Sequence, residues 1–526
     1  MAPGPITLVP LGSEPSGVSG LHRYFGAIEL RTAPDGLVVV DRLSLERYLL
    51  GLNEVPPDWP TEALRAQAVA ARTYALWTLE RPRGGAAATY GFDICASDQC
   101  QVFTGADILD YEGGARWTQA VHATRGEAVV YGGEPILARY HSTSGGATLA
   151  NPQAFPGDPD LPYLRPVEST TEQASPLYRW SVRFSLKDLQ AILEDAGWWG
   201  PADGVLRAVR TARSSAGLHY PDVRFIGRRA SRRTVEELRV LLRAAAPAAF
   251  PGRYPSPAPT SSGRLPETLP SNRATISTTG GVVRIHGRGW GHGVGMSQWG
   301  AHGMAQNGSG YRDILRHYYR NTTVEDTAEP RSIEVGVAWA LPRVSVLGAF
   351  RIVDGAGATV VRKAFGTWRF TPRDPGAVSV TPPPRFGAPL RITLLRAPKR
   401  VTTGEATSLT VDLSAPAQVT VVTSSGPRDA GDAAVVRDAG ERRVPWVAPE
   451  GPGRYEVRVE ASAGAGSPRT EAVQIEVIES RAAGPEGQTP ADGRSGWATV
   501  ALWLAGATFL ALVALGAASF VGTMGR

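Results

Sequence analysis

The segment that decides the fold is Tyr48-Leu-Leu-Gly-Leu-Asn-Glu-Val-Pro-Pro-Asp-Trp-Pro60, which runs directly into the Ala-rich stretch Thr61–Leu79. Its three prolines prevent a helix from passing through the segment and so force a loop. Pro60 suits the first turn of a new helix, and small apolar residues recur along Thr61–Leu79 at helical spacing. The sequence therefore predicts a rigid loop, with Glu54 near its start, that leads into a closely packed helix.

Glu54 is the candidate proton-transfer residue of this loop. A carboxyl fixed between an apolar helix end and a proline-rich loop is partly desolvated, and desolvation raises the pKa of an acid towards the range that general acid catalysis needs. The ordinary alternative is a loop glutamate that simply faces water. Gln67 and Arg72 are polar residues in the otherwise Ala-rich helix, and they either hydrogen-bond within the core or face the same site.

Two later blocks carry further candidate residues. The block Tyr140-His-Ser-Thr-Ser-Gly-Gly146 offers donors and acceptors suited to sugar hydroxyls, although such a turn can also satisfy its own backbone. The block Gly287-Arg-Gly-Trp-Gly-His-Gly-Val-Gly-Met-Ser-Gln-Trp-Gly-Ala-His-Gly-Met-Ala305 lacks the signature of a phosphate loop or of a dinucleotide site, and its glycines permit the backbone to approach a ligand closely. The predicted substrate-binding residues are Gln67, Arg72, Tyr140, His141, Ser142, Thr143, Ser144, Gly145, Gly146, Trp290, His292, Gly293, Ser297 and Gln298.

The composition limits the possible partners, but it does not decide whether the two cysteines form a disulfide. The net charge of +6 comes almost entirely from Arg, and no basic run with interleaved aromatic residues occurs, so no nucleic-acid partner is predicted. Cys95 and Cys100 are close in sequence. On composition alone, they form a disulfide or are two unrelated buried thiols, and the two interpretations stand equal.

The remainder of the chain is predicted to contain β-rich domains and a membrane anchor. A Pro/Ser-rich loop is expected at residues 251–275, a small β-rich region at 331–385, and an immunoglobulin-like β-sandwich, from period-two alternation, at 388–479. A polar linker at 480–496 leads to residues 497–521, which carry no charge and are long enough for a transmembrane helix. We therefore expect a cell-membrane protein with a single C-terminal span and its bulk extracytoplasmic.

The N-terminus does not supply the export signal that this topology needs, because residues 1–20 contain neither a basic region nor a long apolar run. The chain is then either tail-anchored facing the cytoplasm or begins upstream of Met1. The second interpretation is favoured, because the domains predicted for this chain would have no role in the cytosol.

Taken together, the motif blocks resemble the SpoIID/LytB family, which comprises stage II sporulation protein D and the amidase enhancer LytB. The resemblance covers residues 26–322 and assigns a peptidoglycan-acting domain to residues 21–325. It implies a SpoIID-type mixed α/β catalytic domain. With the β-rich regions and the transmembrane helix that follow it, the predicted fold class of the chain is α+β. It rests on residues 48–60, 66–75, 101–105, 140–146, the glycine-rich block 289–298 and His317-Tyr-Tyr319.

The activity that the resemblance implies is that of a lytic transglycosylase. Such an enzyme cleaves between N-acetylmuramic acid (MurNAc) and N-acetylglucosamine (GlcNAc) in peptidoglycan glycan strands, with a preference for strands that lack stem peptides. Because the substrate's own 6-hydroxyl attacks, one carboxyl suffices where ordinary glycosidases need two. By position in the motif, that carboxyl is Glu54. The process implied is cell-wall remodelling, with sporulation as one setting.

The resemblance also bears on cofactors and partners. A zinc-binding form of the family carries two Cys and two His around the segment equivalent to residues 93–101, but here Gln99 stands where a His would precede Cys100. A Cys95–Cys100 disulfide is therefore favoured over zinc, and no cofactor is expected. The alternative function is a non-catalytic, peptidoglycan-binding enhancer of a cell-wall amidase.

Overall fold

The computed structural model describes residues 2–3, 6–11, 16–215, 220–251, 253–254, 265, 267–328, 332–373, 376–424, 434–463 and 468–479. These residues form two compact units, and the chain passes between them more than once. The first unit comprises the described residues of Met1–Asn53, Pro82–Asp110 and Pro330–Ala491, and the second comprises those of Glu54–Arg81 and Tyr111–Glu329.

An eleven-stranded sheet is the main element of the first unit. It joins distant parts of the sequence, because Gly36–Leu43 pairs antiparallel with Ile333–Leu341. The run Leu37-Val-Val-Val40 is buried in the interior of this sheet, which explains its unbroken apolar character. In sheet order the strands are Ala2–Pro3, Ala377–Thr381, Thr359–Arg373, Val344–Val353, Ile6–Pro10, Ala27–Ala33, Gly36–Leu43, Ile333–Leu341 and Ile94–Cys95, with Ser16–Val18 and Arg23–Tyr24 attached beside them.

Short helices connect these strands. The helix Leu45–Leu50 begins directly after Ser44, whose hydroxyl caps it by accepting a hydrogen bond from the backbone N–H of Arg47. The helix Gly85–Tyr90 and the 3₁₀ helix Gly105–Asp110 follow in the same unit.

Two sheets enclose a separate core in the C-terminal part of the first unit, and their strands pair antiparallel except for Arg400–Thr402, which pairs parallel with Arg469–Ile478. Alternate residues such as Leu409, Val411, Val457 and Val459 are buried between the sheets, as the period-two pattern requires. One sheet contains Ile392–Arg396, Ala406–Leu413 and Gly440–Val447; the other contains Arg400–Thr402, Arg469–Ile478, Gly453–Ser462, Ala417–Ser424 and Val435–Arg437.

The second unit is built around the long helix Thr61–Leu79. Its alanines are fully buried, and their small side chains allow the neighbouring helices and strands to approach closely. Val69 shares a core with Ile136, Leu315 and Tyr318. The helices nearby are Gly114–Ala123, Asn151–Ala154, Gln298–Gln306 and Tyr311–Tyr318, and the strands are Glu127–Tyr131, Glu134–Pro135, Thr323–Asp326, Tyr140–His141 and Met296–Ser297.

A further core in the second unit lies between two three-stranded sheets and two helices. Trp180, Phe184, Leu189 and Leu242 are buried in it. The sheets contain Trp180–Ser185, Val282–Gly287 and Ala274–Thr279, and Ala208–Ala212, Asp222–Ile226 and Ala230–Thr234; the helices are Leu186–Asp195 and Val235–Ala249.

Two sequence-based predictions need correction. The α+β class with a mixed α/β catalytic domain is wrong, because the fold is mostly β: 40% of the described residues are in strands and 21% are in helices. The prediction gave most weight to the helix Thr61–Leu79, whose signal in the sequence is strong. The many short strands each carry only a weak signal.

The predicted C-terminal span is also corrected. Within the described ranges, no helix is both long enough and apolar enough to cross a membrane. Residues 480–496 and 497–521, the predicted linker and span, lie outside the described residues. The prediction rested on the length and the uncharged, apolar sequence of residues 497–521, and the expected cell-membrane location depended on this span.

Candidate functional site

The Glu54 loop opens the second unit and is held in shape by the neighbouring helix. Arg116 lies on the helix Gly114–Ala123, and its guanidinium donates to the backbone carbonyls of Asp58 and Trp59, each at 2.9 Å. The prolines restrict the backbone before these two residues. The loop is therefore stiff, and Glu54 is half-buried at its start.

Two predicted residues from distant parts of the sequence contact Glu54. The hydroxyl of Tyr140 donates a hydrogen bond to Glu54 Oε1 at 2.9 Å. The side-chain amide of Gln298 donates to the backbone carbonyl of Glu54 at 3.2 Å and also faces Gln67 Oε1 at 3.4 Å. The three motif blocks thus meet at Glu54, Gln67, Tyr140 and Gln298.

A parallel pair of short strands brings the second and third blocks together. Tyr140 and His141 pair with Met296 and Ser297. Gly295 makes this pairing possible, because it has a φ of 70° and a Cβ atom there would lie 1.9 Å from the carbonyl oxygen of Arg139. The glycines of the third block therefore serve close backbone approach within the protein.

Tyr74 and Arg139 also belong to this environment, although the sequence did not single them out. Burial raises the pKa of Tyr74, and the negative charge of Glu54 raises it further while Arg139 opposes the shift. Arg139 lies 3.5 Å above the ring of Phe155 and donates to Asp158 at 2.7 Å. Burial lowers the pKa of Arg139, and Asp158 opposes that effect. Tyr74 follows Gln67 by two helical turns, which is the signal that could have found it.

The hydroxyl side chains of the second block turn inward. Thr143 and Ser144 are buried, and so is Ser297 of the third block. Ser144 and Ser297 both bind Glu172, a fully buried carboxylate that the sequence analysis missed. Thr143 Oγ1 lies 2.6 Å from Ser175 Oγ, and the half-buried Ser142 lies beside Thr143 with its hydroxyl 3.4 Å away. The serine-rich turn is therefore engaged mainly with the protein itself.

The two histidines of the predicted set form a pair behind the turn, in which His141 is buried and His292 is half-buried. His141 Nδ1 donates to the carbonyl of Val294 at 3.1 Å, and the backbone N–H of Val294 donates to His292 Nδ1 at 3.1 Å. The ring centroids are 5.5 Å apart. Burial lowers the pKa of His141 to about 4 and lowers that of His292 as well. Both rings are therefore neutral at physiological pH.

Other predicted binding residues have structural partners. The indole N–H of Trp290 donates to Glu267 at 2.9 Å. Gly145 packs against the side chain of Arg288, and Gly293 packs against Leu149. The remaining glycine of the turn, Gly146, donates its backbone N–H to Glu172 at 2.5 Å.

Arg72 is placed in the core of the second unit. It is fully buried, and its guanidinium donates to the backbone carbonyls of Glu127 and Val121 at 3.2 and 3.3 Å. Of the two alternatives for this residue, these contacts match hydrogen bonding within the core.

An aromatic cluster lies along the Glu54 loop. Trp59 packs against Trp299 and His302 with ring centroids 5.0 and 4.7 Å away, and Trp299 and His302 are 5.2 Å apart. Burial lowers the pKa of His302, and Asp58 opposes the shift. Trp299 and His302 remain partly exposed, so this cluster offers ring surface for stacking.

The two cysteines lie in the first unit and are joined by a disulfide, with their Cα atoms 5.5 Å apart. Cys95 ends the short strand Ile94–Cys95, which pairs with Ile333–Leu341. Gln101, just beyond the disulfide, accepts a hydrogen bond from the hydroxyl of Tyr48 at 2.8 Å. The disulfide therefore closes a small loop at the edge of the large sheet.

Comparison with known proteins shows which proteins this chain is similar to. A family model described as SpoIID, stage II sporulation protein, matches residues 34–131. Stage II sporulation protein D of Bacillus subtilis is 29% identical over 333 residues, covering 60% of this chain and 86% of the relative. An uncharacterized protein of Brachyspira hyodysenteriae is also 29% identical, over 306 residues, covering 58% of this chain and 72% of the relative.

A further relative carries a different name. The amidase enhancer of Bacillus subtilis is 27% identical over 296 residues, which cover 52% of this chain and 39% of the relative. Both names that the sequence motifs suggested therefore appear among the relatives. These similarities support the resemblance to the SpoIID/LytB family that the sequence motifs suggested.

Proposed function

We propose that this protein is a peptidoglycan lytic transglycosylase in which Glu54 is the single acid and base. The relatives named stage II sporulation protein D and amidase enhancer support a cell-wall-related role. The observation that carries the proposal is the contact of Glu54 with the Tyr140 hydroxyl, in a loop that Arg116 and the prolines hold rigid. A half-buried and oriented carboxyl is what transfer of a proton to a glycosidic oxygen requires.

The hydrogen bond from Tyr140 also selects the oxygen that carries the proton. Because the Tyr140 hydroxyl donates to Glu54 Oε1, that atom acts as the acceptor in the protonated acid. The acidic proton is then on Oε2. The Gln298 amide fixes the backbone of the same residue, so the direction of proton transfer is set by two elements from distant parts of the chain.

The proposed reaction needs no water and no cofactor. Glu54 gives its proton to the oxygen between MurNAc and GlcNAc, and the bond from that oxygen to C1 of MurNAc breaks. The 6-hydroxyl of the same MurNAc attacks C1 and forms the 1,6-anhydro bond. Its proton passes to Glu54, which returns to the acid form. The carboxyl serves twice, so a second carboxylate is not required.

Mass spectrometry of purified glycan strands, with and without stem peptides, tests this proposal. Wild-type protein should release products with 1,6-anhydro-MurNAc ends, and Glu54→Gln should not. Glu134→Gln is the matched control, because Glu134 is an exposed glutamate of the same unit. If the wild-type protein yields no anhydro product from either substrate, the enzymatic proposal is wrong.

The name of one relative supports a second candidate function, enhancement of a cell-wall amidase through glycan binding. The same protein preparations distinguish the two. An enhancer should increase the rate at which a purified N-acetylmuramoyl-L-alanine amidase releases stem peptides, and Glu54→Gln should retain that effect. A lytic transglycosylase should produce anhydro ends without any amidase present.

A further inference from the structure

The turn Ser144-Gly-Gly-Ala147 lies between two charged side chains that bind different sides of its backbone. Glu172 accepts hydrogen bonds from the backbone N–H of Ser144 at 2.9 Å, the hydroxyl of Ser144 at 2.6 Å and the backbone N–H of Gly146 at 2.5 Å. Arg273 donates to the carbonyls of Ser144 and Ala147, the second at 2.7 Å. The turn is thus held through both its donors and its acceptors.

Glu172 extends this arrangement to the third motif block. Its Oε2 accepts a hydrogen bond from the hydroxyl of Ser297 at 2.5 Å. Ser297 is fully buried and also begins the helix Gln298–Gln306, because its hydroxyl accepts from the backbone N–H of Gly300 at 3.1 Å. The next residue along the chain is Gln298, which contacts Glu54.

The burial of Glu172 makes these contacts strong constraints. A fully buried carboxylate is stable only if hydrogen bonds or opposite charge replace its hydration, so the donors cannot move away without a large cost. Arg273 supplies opposite charge, since Glu172 and Arg273 interact electrostatically. The positions of Ser144 and Ser297 are therefore fixed relative to the same carboxylate.

We infer that Glu172, together with Arg273, positions Tyr140 and Gln298 against Glu54. Tyr140 lies just before the turn that Glu172 and Arg273 bind, on the short strand that pairs with Met296–Ser297. Gln298 directly follows Ser297, which Glu172 also binds. Glu172 is fully buried among its donors and therefore acts through these two residues. For catalysis, the inference rests on the proposed function of Glu54.

A pair of serine variants separates positioning from simple helix capping. Ser297 and Ser185 each cap a helix of the second unit, with Ser185 accepting from the backbone N–H of Asp188 at 3.0 Å. Ser297 also binds Glu172. Ser297→Ala and Ser185→Ala therefore remove the same kind of cap, but the first also cuts the link between Glu172 and the third block.

Ser297→Ala should lower kcat on purified glycan strands about tenfold with little change in KM. It removes the hydrogen bond from Ser297 to the charged Glu172, and the residues that hold Glu54 in position are then less well fixed. Ser185→Ala should leave kcat unchanged. The ¹³Cζ NMR signal of Tyr140, assigned by its loss in Tyr140→Phe, should move in Ser297→Ala and stay in place in Ser185→Ala.

The NMR signal tests the positioning role independently of activity. An unchanged Tyr140 signal in Ser297→Ala would overturn the inference, whatever the activity of the wild-type protein. If wild-type protein produces no anhydro ends but the Tyr140 signal moves as expected, the proposed function fails while the structural link from Glu172 to Tyr140 stands.

Discussion

Two glutamates of the second unit lie close to the same motif blocks and have opposite environments. Glu54 is half-buried on a loop and accepts a hydrogen bond from the Tyr140 hydroxyl. Glu172 is fully buried and accepts hydrogen bonds from Ser144, Gly146 and Ser297. A carboxyl that transfers a proton to a substrate must be reachable by that substrate. Glu54 meets this condition, whereas Glu172 is enclosed by its donors.

The comparison assigns different roles to neighbouring polar residues. The hydroxyls of Ser144 and Ser297 bind Glu172, so they contribute to function by fixing the position of the backbone. Tyr140 and Gln298 belong to the Glu54 cluster, where they act on the proposed acid directly. A motif can therefore be rich in polar side chains and still present few of them to a ligand.

The largest effect on stability is expected from Glu172→Ala. This change removes the carboxylate that accepts from the buried hydroxyls of Ser144 and Ser297 and removes the negative charge near Arg273, so the free energy of unfolding should fall by about 3–5 kcal/mol. Urea unfolding measures the change, and the exposed Glu134→Ala is the control. A loss below about 1 kcal/mol would mean that Glu172 does not anchor the turn.

The next largest effect is expected from Tyr140→Phe. It removes the hydroxyl that orients Glu54, and kcat on glycan strands should fall by about 10- to 100-fold, as for other hydrogen bonds to a charged group. Tyr311→Phe provides a matched control, because the Tyr311 hydroxyl donates to Glu127 at 2.8 Å elsewhere in the same unit. Equal losses from both variants would contradict a specific role for Tyr140.

A smaller effect is expected in the pH dependence of stability. Burial holds the pKa of His141 at about 4, below its ordinary value of 6.5. Below pH 6.5 the unfolded chain therefore binds a proton that the folded chain does not. The free energy of unfolding should decrease as the pH falls from 6.5 to about 4, by up to about 1.4 kcal/mol per pH unit.

His141→Asn checks this assignment. The asparagine amide can still donate to the carbonyl of Val294, but it does not titrate. Urea titrations at a series of pH values should show a shallower decrease between pH 6.5 and 4 for the variant than for wild type. Identical pH profiles would show that His141 does not carry this dependence.

The sequence identified much of the candidate site but not the direction in which its side chains point. Glu54, Gln67, Tyr140 and Gln298 were all proposed from their motifs, and they meet in the structure. A serine-rich turn has the same sequence pattern whether its hydroxyls face a ligand or a buried carboxylate. Glu172 and Arg273 had no motif of their own, because their roles depend on packing between segments far apart in the chain.

The prediction of the fold was also limited to features with a local sequence pattern. The helix Thr61–Leu79 was predictable because its signals are local: prolines before it and helical spacing within it. The eleven-stranded sheet was not, because Gly36–Leu43 finds its partner in Ile333–Leu341 and no local pattern records that pairing. The α+β prediction underestimated the strand content for this reason.

The contrast between the two glutamates is tested most directly by measuring the turnover and the melting temperature of Glu54→Gln together. If Glu54 is the acid, turnover on glycan strands should fall by about 10²–10⁴-fold, while the melting temperature stays close to that of wild type. Turnover close to that of wild type in a folded Glu54→Gln variant would contradict the account, and so would a melting temperature lowered as strongly as in Glu172→Ala.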